Sequence, residues 1–160
     1  MRFEVEHRFR RSPEAVAAVL ADPDFYRHLE LPDVAAPVIL DHRIVRSVVR
    51  IQLRYQFVGG LDPVARRLVG ADRLAWLQDL EVDLSGSGRL TFAAEADPRR
   101  LHGSAEFAVV GDGEGAVRHL AGELVVAVPF VGSWAESRIL PGLLRRLDLE
   151  AEAVEKRLSA

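Results

Sequence analysis

Four polar residues fall at positions that strand alternation turns toward the core: His7, His42, Tyr55 and Gln78. Each shares one side of a predicted strand with apolar residues. Pairing of the first two strands would bring the imidazoles of His7 and His42 close together. A buried histidine is most often held by hydrogen bonds within the core. Alternatively, a few polar groups in an apolar cavity orient a ligand, or an imidazole facing that cavity acts as an acid or base.

Large and small apolar residues surround these polar positions. Trp76, Phe92 and Phe107 are predicted to face inward, where they either fill a core or line a pocket. Small residues on the same inward faces would leave space, and they are Ala94, Ala96, Gly103, Ala105 and Gly122. We therefore expect an enclosed, mostly dry cavity. The residues predicted to bind its ligand are His7, His42, Tyr55, Trp76, Gln78, Phe92, Phe107, Leu140 and Leu144.

The sequence carries no recognisable catalytic or metal-binding motif. It has no H-E-x-x-H, P-loop, G-x-S-x-G or calcium-loop pattern, and the absence of cysteine excludes thiol catalysis and cysteine-bound metals. Two histidines without a placed carboxylate do not define a metal site. We therefore assign no catalytic residue, metal or cofactor. The glycines at 111, 113 and 115 indicate a hairpin rather than a dinucleotide site.

The amino-acid composition and net charge limit the classes of partner that the protein is expected to bind. The chain has 160 residues, 49% of them hydrophobic and 28% charged, as expected for one folded domain (residues 1–160). A net charge of −3 argues against nucleic-acid binding. The arginine pairs at 66–67, 99–100 and 145–146 are predicted to be solvated, because they do not form one basic face. The abundance of arginine, alanine, valine and leucine, with a single lysine, is typical of a bacterial protein from a high-GC genome.

The location is predicted from two segments. Met1–Arg10 lacks the apolar core of a signal peptide, and Leu124–Val131, the most apolar stretch, is too short to span a bilayer. We therefore expect a cytoplasmic protein without integral membrane association.

The elements that would position these residues follow a distinctive order. A strand precedes two short helices, which are predicted to begin at Ser12-Pro13-Glu14 and Asp22-Pro23-Asp24 because each combines a capping side chain with proline in the first turn. Alternation and turn residues then predict strands at about 38–45, 49–57, 74–84, 89–96, 101–110 and 117–130, with a short helix over Pro63–Val69.

A long helix closes the chain, predicted over Ser133–Leu158. Ser133 and Glu136 have the spacing of a capping box, and Pro141-Gly142 is expected to bend or loosen the first turns. The apolar stripe includes Leu140 and Leu144, whereas Glu150 is predicted to lie on the outer face with Glu152, Glu155 and Lys156. At 1.5 Å per residue, this helix would be about 39 Å long. A curved antiparallel sheet would provide a groove of that length.

This order resembles the helix-grip fold, the α+β architecture of the START-like (SRPBCC) superfamily. The superfamily includes START-type lipid-transfer domains, relatives of the birch-pollen allergen and bacterial polyketide cyclases. Three stretches carry the resemblance and suggest an uncharacterised bacterial branch: Phe3–Phe25 (FEVEHRFRRSPEAVAAVLADPDF), Leu61–Gly70 (LDPVARRLVG) and Val125–Glu136 (VVAVPFVGSWAE). The resemblance implies a seven-stranded sheet around the last helix, with an apolar cavity between them. Trp134 and Pro141-Gly142 depart from the pattern near the expected mouth.

Three functions remain open at this point. The first is binding or transport of a hydrophobic small molecule, lipid or polyketide-like, which would enter near Pro63–Gly70 and Phe25–Leu31. The second is a cyclase- or dehydratase-like enzyme that uses an inward histidine. The third is an interaction module with a filled core, acting through its surface or as a homodimer. The volume of the cavity separates the third function from the other two.

Overall fold

A computed structural model describes residues 1–60, 63, 66, 67 and 74–160. The strands are β1 (Arg2–Phe9), β2 (Val38–Val45), β3 (Val48–Gln56), β4 (Ala75–Asp83), β5 (Ser87–Ala94), β6 (Leu101–Asp112) and β7 (Gly115–Val126). The helices are α1 (Pro13–Leu20), α2 (Pro23–Arg27) and α3 (Gly132–Leu158). The helix predicted over Pro63–Val69 lies largely outside the described residues.

The seven strands form one antiparallel sheet in the order β1-β7-β6-β5-β4-β3-β2. Consecutive strands from β2 to β7 pair as neighbours, and β1 joins the sheet beside β7. The predicted pairing of the first two strands is therefore wrong, because β1 and β2 lie at opposite edges. Consequently, the imidazoles of His7 and His42 do not meet.

The two short helices begin where their capping residues predict. The Ser12 side chain accepts a hydrogen bond from the backbone of Ala15 at the start of α1 (3.2 Å), and Asp22 does the same for Asp24 at the start of α2 (2.9 Å). Proline in each first turn removes an amide that would otherwise lack a helical partner. The core then buries Val16, Leu20, Phe25 and Tyr26 from these helices.

Helix α3 packs against β7, β1 and α1. Its buried face includes Ala135, Leu147, Ala151 and Val154. Together the open sheet and α3 form the helix-grip architecture expected from the sequence. Among the described residues, the structure contains no helix with the length and apolarity needed to cross a membrane.

The junction between β7 and α3 differs from the prediction. Strand β7 ends at Val126, four residues before the expected end, and the chain turns through Pro129 and Phe130 into the helix. Helix α3 begins at Gly132, and its N-cap residue Val131 makes no side-chain capping bond. The predicted capping box is therefore absent.

The acidic side chain of that predicted capping box has another partner. The carboxylate of Glu136 lies 3.4 Å from the amino-terminal ammonium of Met1, which also donates to the Leu124 carbonyl (2.6 Å).

Candidate functional site

A cavity of about 470 Å³ lies between helix α3 and the sheet. The sheet contributes mainly apolar wall residues, which are Trp76, Phe92, Ala94, Leu101 and Leu124. Helix α3 contributes Arg138, Ile139, Gly142, Leu143, Arg145, Arg146 and Leu149. A volume of this size is within the range of small-molecule sites, about 300–1,000 Å³. The interior is therefore not filled by side chains.

The cavity opens to the surface at one end. Its lining includes residues exposed to solvent, among them Asp33 and Gly60 from loops and Gly142 and Arg145 from α3. The described part of the cavity wall therefore reaches solvent, whereas an enclosed cavity was expected. Leu31 and Gly142 line the cavity, so it reaches two of the segments predicted to form the mouth. The third predicted segment, Pro63–Gly70, is largely outside the described residues.

Two of the nine predicted ligand-binding residues, Trp76 and Phe92, line the described part of the cavity wall. The small residue opposite Phe92 has a different role from the one predicted. A Cβ atom at Gly103 would lie 2.3 Å from the Phe92 ring and 2.7 Å from the Glu123 carbonyl. Gly103 therefore makes room for an aromatic ring rather than leaving empty space. Ala96, also predicted to face inward, is exposed beyond the end of β5.

The remaining predicted residues do not line the described cavity wall. Leu140 and Leu144 are half-buried and pack against the core from the turns that also carry Ile139 and Leu143. Phe107 is buried, and its ring lies 6.0 Å from the guanidinium carbon of Arg118. It therefore belongs to the packed part of the core.

The structure corrects the prediction that His42 binds a ligand inside the cavity. Its position opposite buried Ile51 places it on the inward side of the sheet. However, β2 is an edge strand with a register shift between Ile39 and Asp41, and His42 is exposed. Alternation predicted the side of the sheet correctly, but it does not show how far the core extends along an edge strand.

Behind the wall, Tyr55 and Gln78 contact Arg146, which lines the cavity. The rings of Tyr55 and Trp76 stack at 5.2 Å with an angle of 7° between their planes. The guanidinium carbon of Arg146 lies 5.2 Å from the centre of the Tyr55 ring and 5.8 Å from that of Trp76. Nη2 of Arg146 donates a hydrogen bond to Oε1 of Gln78 (3.1 Å). Thus Tyr55 and Gln78 support a residue that does line the cavity.

Arg146 belongs to a buried charged network with Glu150 and Arg118. One carboxylate oxygen of Glu150 lies 3.7 Å from Nη1 of Arg146, and the other accepts from Nη1 of Arg118 at 3.4 Å. All three side chains are at least nine-tenths buried. One carboxylate is therefore shared between two buried cations.

His7 occupies the far end of this network. Nη2 of Arg118 donates a hydrogen bond to Nδ1 of His7 (3.0 Å). Because Nδ1 accepts, the ring proton is on Nε2, which donates to Oδ1 of Asp148 (2.9 Å). Burial and the nearby positive charge of Arg118 lower the pKa of His7. His7 is consequently a neutral, fully paired residue outside the described cavity wall. This arrangement does not provide the cavity-facing acid or base that the enzymatic alternative requires.

Two buried tyrosine hydroxyl groups in the core have different polar neighbours. The Tyr26 hydroxyl donates to the Leu20 carbonyl at 2.6 Å. The Tyr55 hydroxyl, equally buried, has the Arg146 guanidinium as its polar neighbour rather than a backbone carbonyl. Burial raises the pKa of Tyr55 far above its ordinary value, and the positive charge of Arg146 opposes that shift. Tyr55 thus keeps its proton near neutral pH.

The sequence did not predict the roles of Arg118, Arg146 and Glu150. It predicted that Arg146 is solvated and that Glu150 lies on the outer face of the helix, and both predictions are wrong. Available signals were the position of Arg118 two residues before buried Leu120, and the four-residue spacing from Arg146 to Glu150. Among the described residues, no group of three or more histidine or acidic side chains could hold a metal.

The antiparallel sheet and the long helix α3 define this chain as an α+β protein with the helix-grip fold. The chain belongs to the family described as "Protein of unknown function (DUF2505)", whose family model matches residues 4–158. No curated protein matches its sequence.

Three solved structures illustrate the similarity. TTHA0849 from Thermus thermophilus is 15% identical with a TM-score of 0.69, covering 99% of this chain and 97% of that one. Ara h 8.0201 is 12% identical with a TM-score of 0.66, at 99% and 97% coverage. A norcoclaurine synthase point mutant from Thalictrum flavum, bound to a transition-state analogue, is 18% identical with a TM-score of 0.63, at 99% and 93% coverage. At these identities, the similarity shows a shared fold.

Proposed function

We propose that this protein binds a hydrophobic small molecule, lipid or polyketide-like, in the cavity between α3 and the sheet. The observation that carries the proposal is the cavity itself, about 470 Å³ in volume with a mainly apolar sheet wall. Burying apolar surface is worth about 25 cal/mol per Å², so such a site gains affinity from the body of the ligand. The exposed lining residues Asp33, Gly60 and Gly142 indicate where a ligand would enter from solvent.

The likeness to the norcoclaurine synthase complex supports the proposal at the level of fold. That protein holds a transition-state analogue, so a fold of this kind accommodates a small molecule. We favour a binder or carrier over an enzyme because His7 is neutral and fully paired, and His42 is exposed.

N-phenyl-1-naphthylamine, a neutral fluorescent hydrophobe, tests the cavity without reference to any polar head group. We expect saturable binding to the wild-type protein, with enhanced fluorescence. Ala94→Phe should weaken binding at least tenfold, because Ala94 is buried and lines the cavity. Ala93→Phe is the matched control, since strand alternation turns the neighbouring residue to the other face of β5.

Binding that is equal in the two variants would place the probe outside this cavity. Complete absence of probe binding to the wild-type protein would overturn the proposal. A thermal-shift measurement on the same samples provides an independent readout, because a ligand that binds only the folded state raises Tm.

A further inference from the structure

Arg146 is the charged residue that the structure buries in the cavity wall. It is 8% exposed, and it lines the cavity from the middle of α3. Its Nη2 donates to Gln78, whereas its Nη1 faces Oε2 of Glu150 at 3.7 Å, too far for a hydrogen bond. A buried guanidinium normally uses its N–H groups in hydrogen bonds, because leaving one unmade costs free energy. The hydrogen bonding of this buried cation is therefore incomplete among the described residues.

The charges around Arg146 do not balance within the buried network. Arg118 and Arg146 are both positive, whereas Glu150 is the one carboxylate that contacts them among the described residues, at 3.4 and 3.7 Å. Both distances are longer than the 2.7–2.9 Å that is typical of a hydrogen bond between a cation and a carboxylate. The other nearby carboxylate, Asp148, binds His7 and is mostly exposed. The buried cluster of Arg118, Arg146 and Glu150 has a formal net charge of +1.

The guanidinium of Arg146 is held in place by its neighbours. The stacked rings of Tyr55 and Trp76 lie within 6 Å of it, a distance at which aromatic faces attract a cation. Gln78 fixes one of its nitrogens. An arginine restrained in this way loses little conformational freedom when it receives a ligand.

We propose that Arg146 binds the carboxylate of an amphipathic acid whose hydrocarbon body fills the cavity. This inference rests on the proposed function and adds the chemical class of the ligand. The remaining charged residues of the described lining, Asp33, Arg138 and Arg145, also sum to a positive charge, which favours entry of an anion.

A matched pair of ligands separates this inference from the function on which it rests. Decanoic acid and decan-1-ol have the same chain length, and only the acid is ionised at pH 7.5. Each is used to displace N-phenyl-1-naphthylamine from the protein. A hydrogen bond to a charged group contributes enough to favour decanoate by about tenfold or more.

Two substitutions complete the design. Arg146→Met removes the charge but keeps the length of the side chain, and it should abolish the preference for decanoate while retaining decan-1-ol binding. Lys156→Met removes a positive charge from an exposed position of the same helix that is not among the described cavity residues, and it should keep the preference. Circular dichroism and Tm verify that each variant is folded.

The outcomes are distinct. Equal affinity of the wild-type protein for decanoate and decan-1-ol would overturn the inference, with the proposed function left intact. A preference that persists in folded Arg146→Met would also overturn it. Failure of both ligands and of the neutral probe would instead overturn the proposed function. If Arg146→Met does not fold, the wild-type comparison still decides, and Arg146→Lys, which keeps the charge, should retain part of the preference.

Discussion

The hydrogen bonds of buried His7 link its protonation state to the stability of the folded protein. Its two ring nitrogens have opposite roles, with Nδ1 accepting from Arg118 and Nε2 donating to Asp148. Protonation would turn Nδ1 into a donor that faces a donor, and it would place a second positive charge beside Arg118. The folded protein therefore disfavours the imidazolium, which agrees with the lowered pKa of His7.

This arrangement predicts a pH-dependent stability. Because the pKa of His7 is lower in the folded state, the unfolded state binds more protons as the pH falls below about 6.5. We expect the free energy of unfolding to decrease from pH 7.5 to pH 5.5, with a contribution from this residue of at most about 1.4 kcal/mol per pH unit. Denaturant unfolding at several pH values measures the slope.

The matched variant is His7→Gln, whose side chain offers one donor and one acceptor without titrating. Its stability should vary less with pH between 7.5 and 5.5 than that of the wild-type protein. The same slope in both proteins would show that His7 does not titrate in this interval.

Alternation along single strands predicted which residues face inward, but not which of them meet the cavity. It placed Trp76, Phe92 and Gln78 correctly on the inward side, and their burial or position in the wall follows from that. The importance of Arg146 could not be read in the same way. Its burial depends on Gln78, Tyr55 and Trp76, which are some 70 to 90 residues away in the sequence.

At the scale of elements, helix α3 contains two residues that disfavour helices. Pro141 lies inside the helix and Gly142 follows it, yet the helix is continuous from Gly132 to Leu158. Proline removes one backbone hydrogen bond, and glycine in a helix interior costs about 0.5–1 kcal/mol relative to alanine. Burial of the apolar face against the sheet outweighs both costs.

Gly142→Ala should therefore stabilise the protein. Apart from its chain neighbours and the backbone of its own helix, no heavy atom of the described residues lies within 4 Å of a Cβ atom at this position. The methyl group therefore meets no clash there, and the helix gains about 0.5–1 kcal/mol. Thermal unfolding provides the measurement. Gly103→Ala is the contrasting variant, because its Cβ would overlap the Phe92 ring and the Glu123 carbonyl, and it should lower Tm. A loss of stability in Gly142→Ala would mean that the first turns of α3 need glycine.

The order of elements was predictable because each has a local signal. Ser12-Pro13 and Asp22-Pro23 specify the helix starts, and two-residue periodicity specifies the strands. The pairing of the edge strands has no local signal, since β1 finds β7 more than 100 residues away. The start of α3 was misplaced because Ser133 and Glu136 have the right spacing for a cap, whereas the preceding turn places Val131 there.

At the scale of the whole molecule, the turn between β7 and α3 directs the long helix across the inner side of the sheet. The chain reverses over a few residues, with the Gly132 amide donating to the Val128 carbonyl at 3.0 Å. A Cβ at Gly132 would lie 2.5 Å from the Val126 carbonyl, so the turn is too close for a larger residue. Phe130 adopts a left-handed backbone conformation (φ +68°) with its side chain fully exposed.

Phe130 therefore carries backbone strain without compensating burial. The left-handed region costs a non-glycine residue about 1–2 kcal/mol, and glycine avoids this cost, although it loses more backbone entropy on folding. We expect Phe130→Gly to be more stable than Phe130→Ala by up to about 1 kcal/mol, the reverse of the usual order of these two residues. Comparing these two variants removes the effect of losing the aromatic ring, and denaturant unfolding gives the difference.

Because Phe130 is not among the described cavity residues, both variants should bind N-phenyl-1-naphthylamine like the wild-type protein. If the alanine variant proves the more stable, the left-handed conformation at this turn is not the source of strain, and the placement of α3 must depend on other contacts.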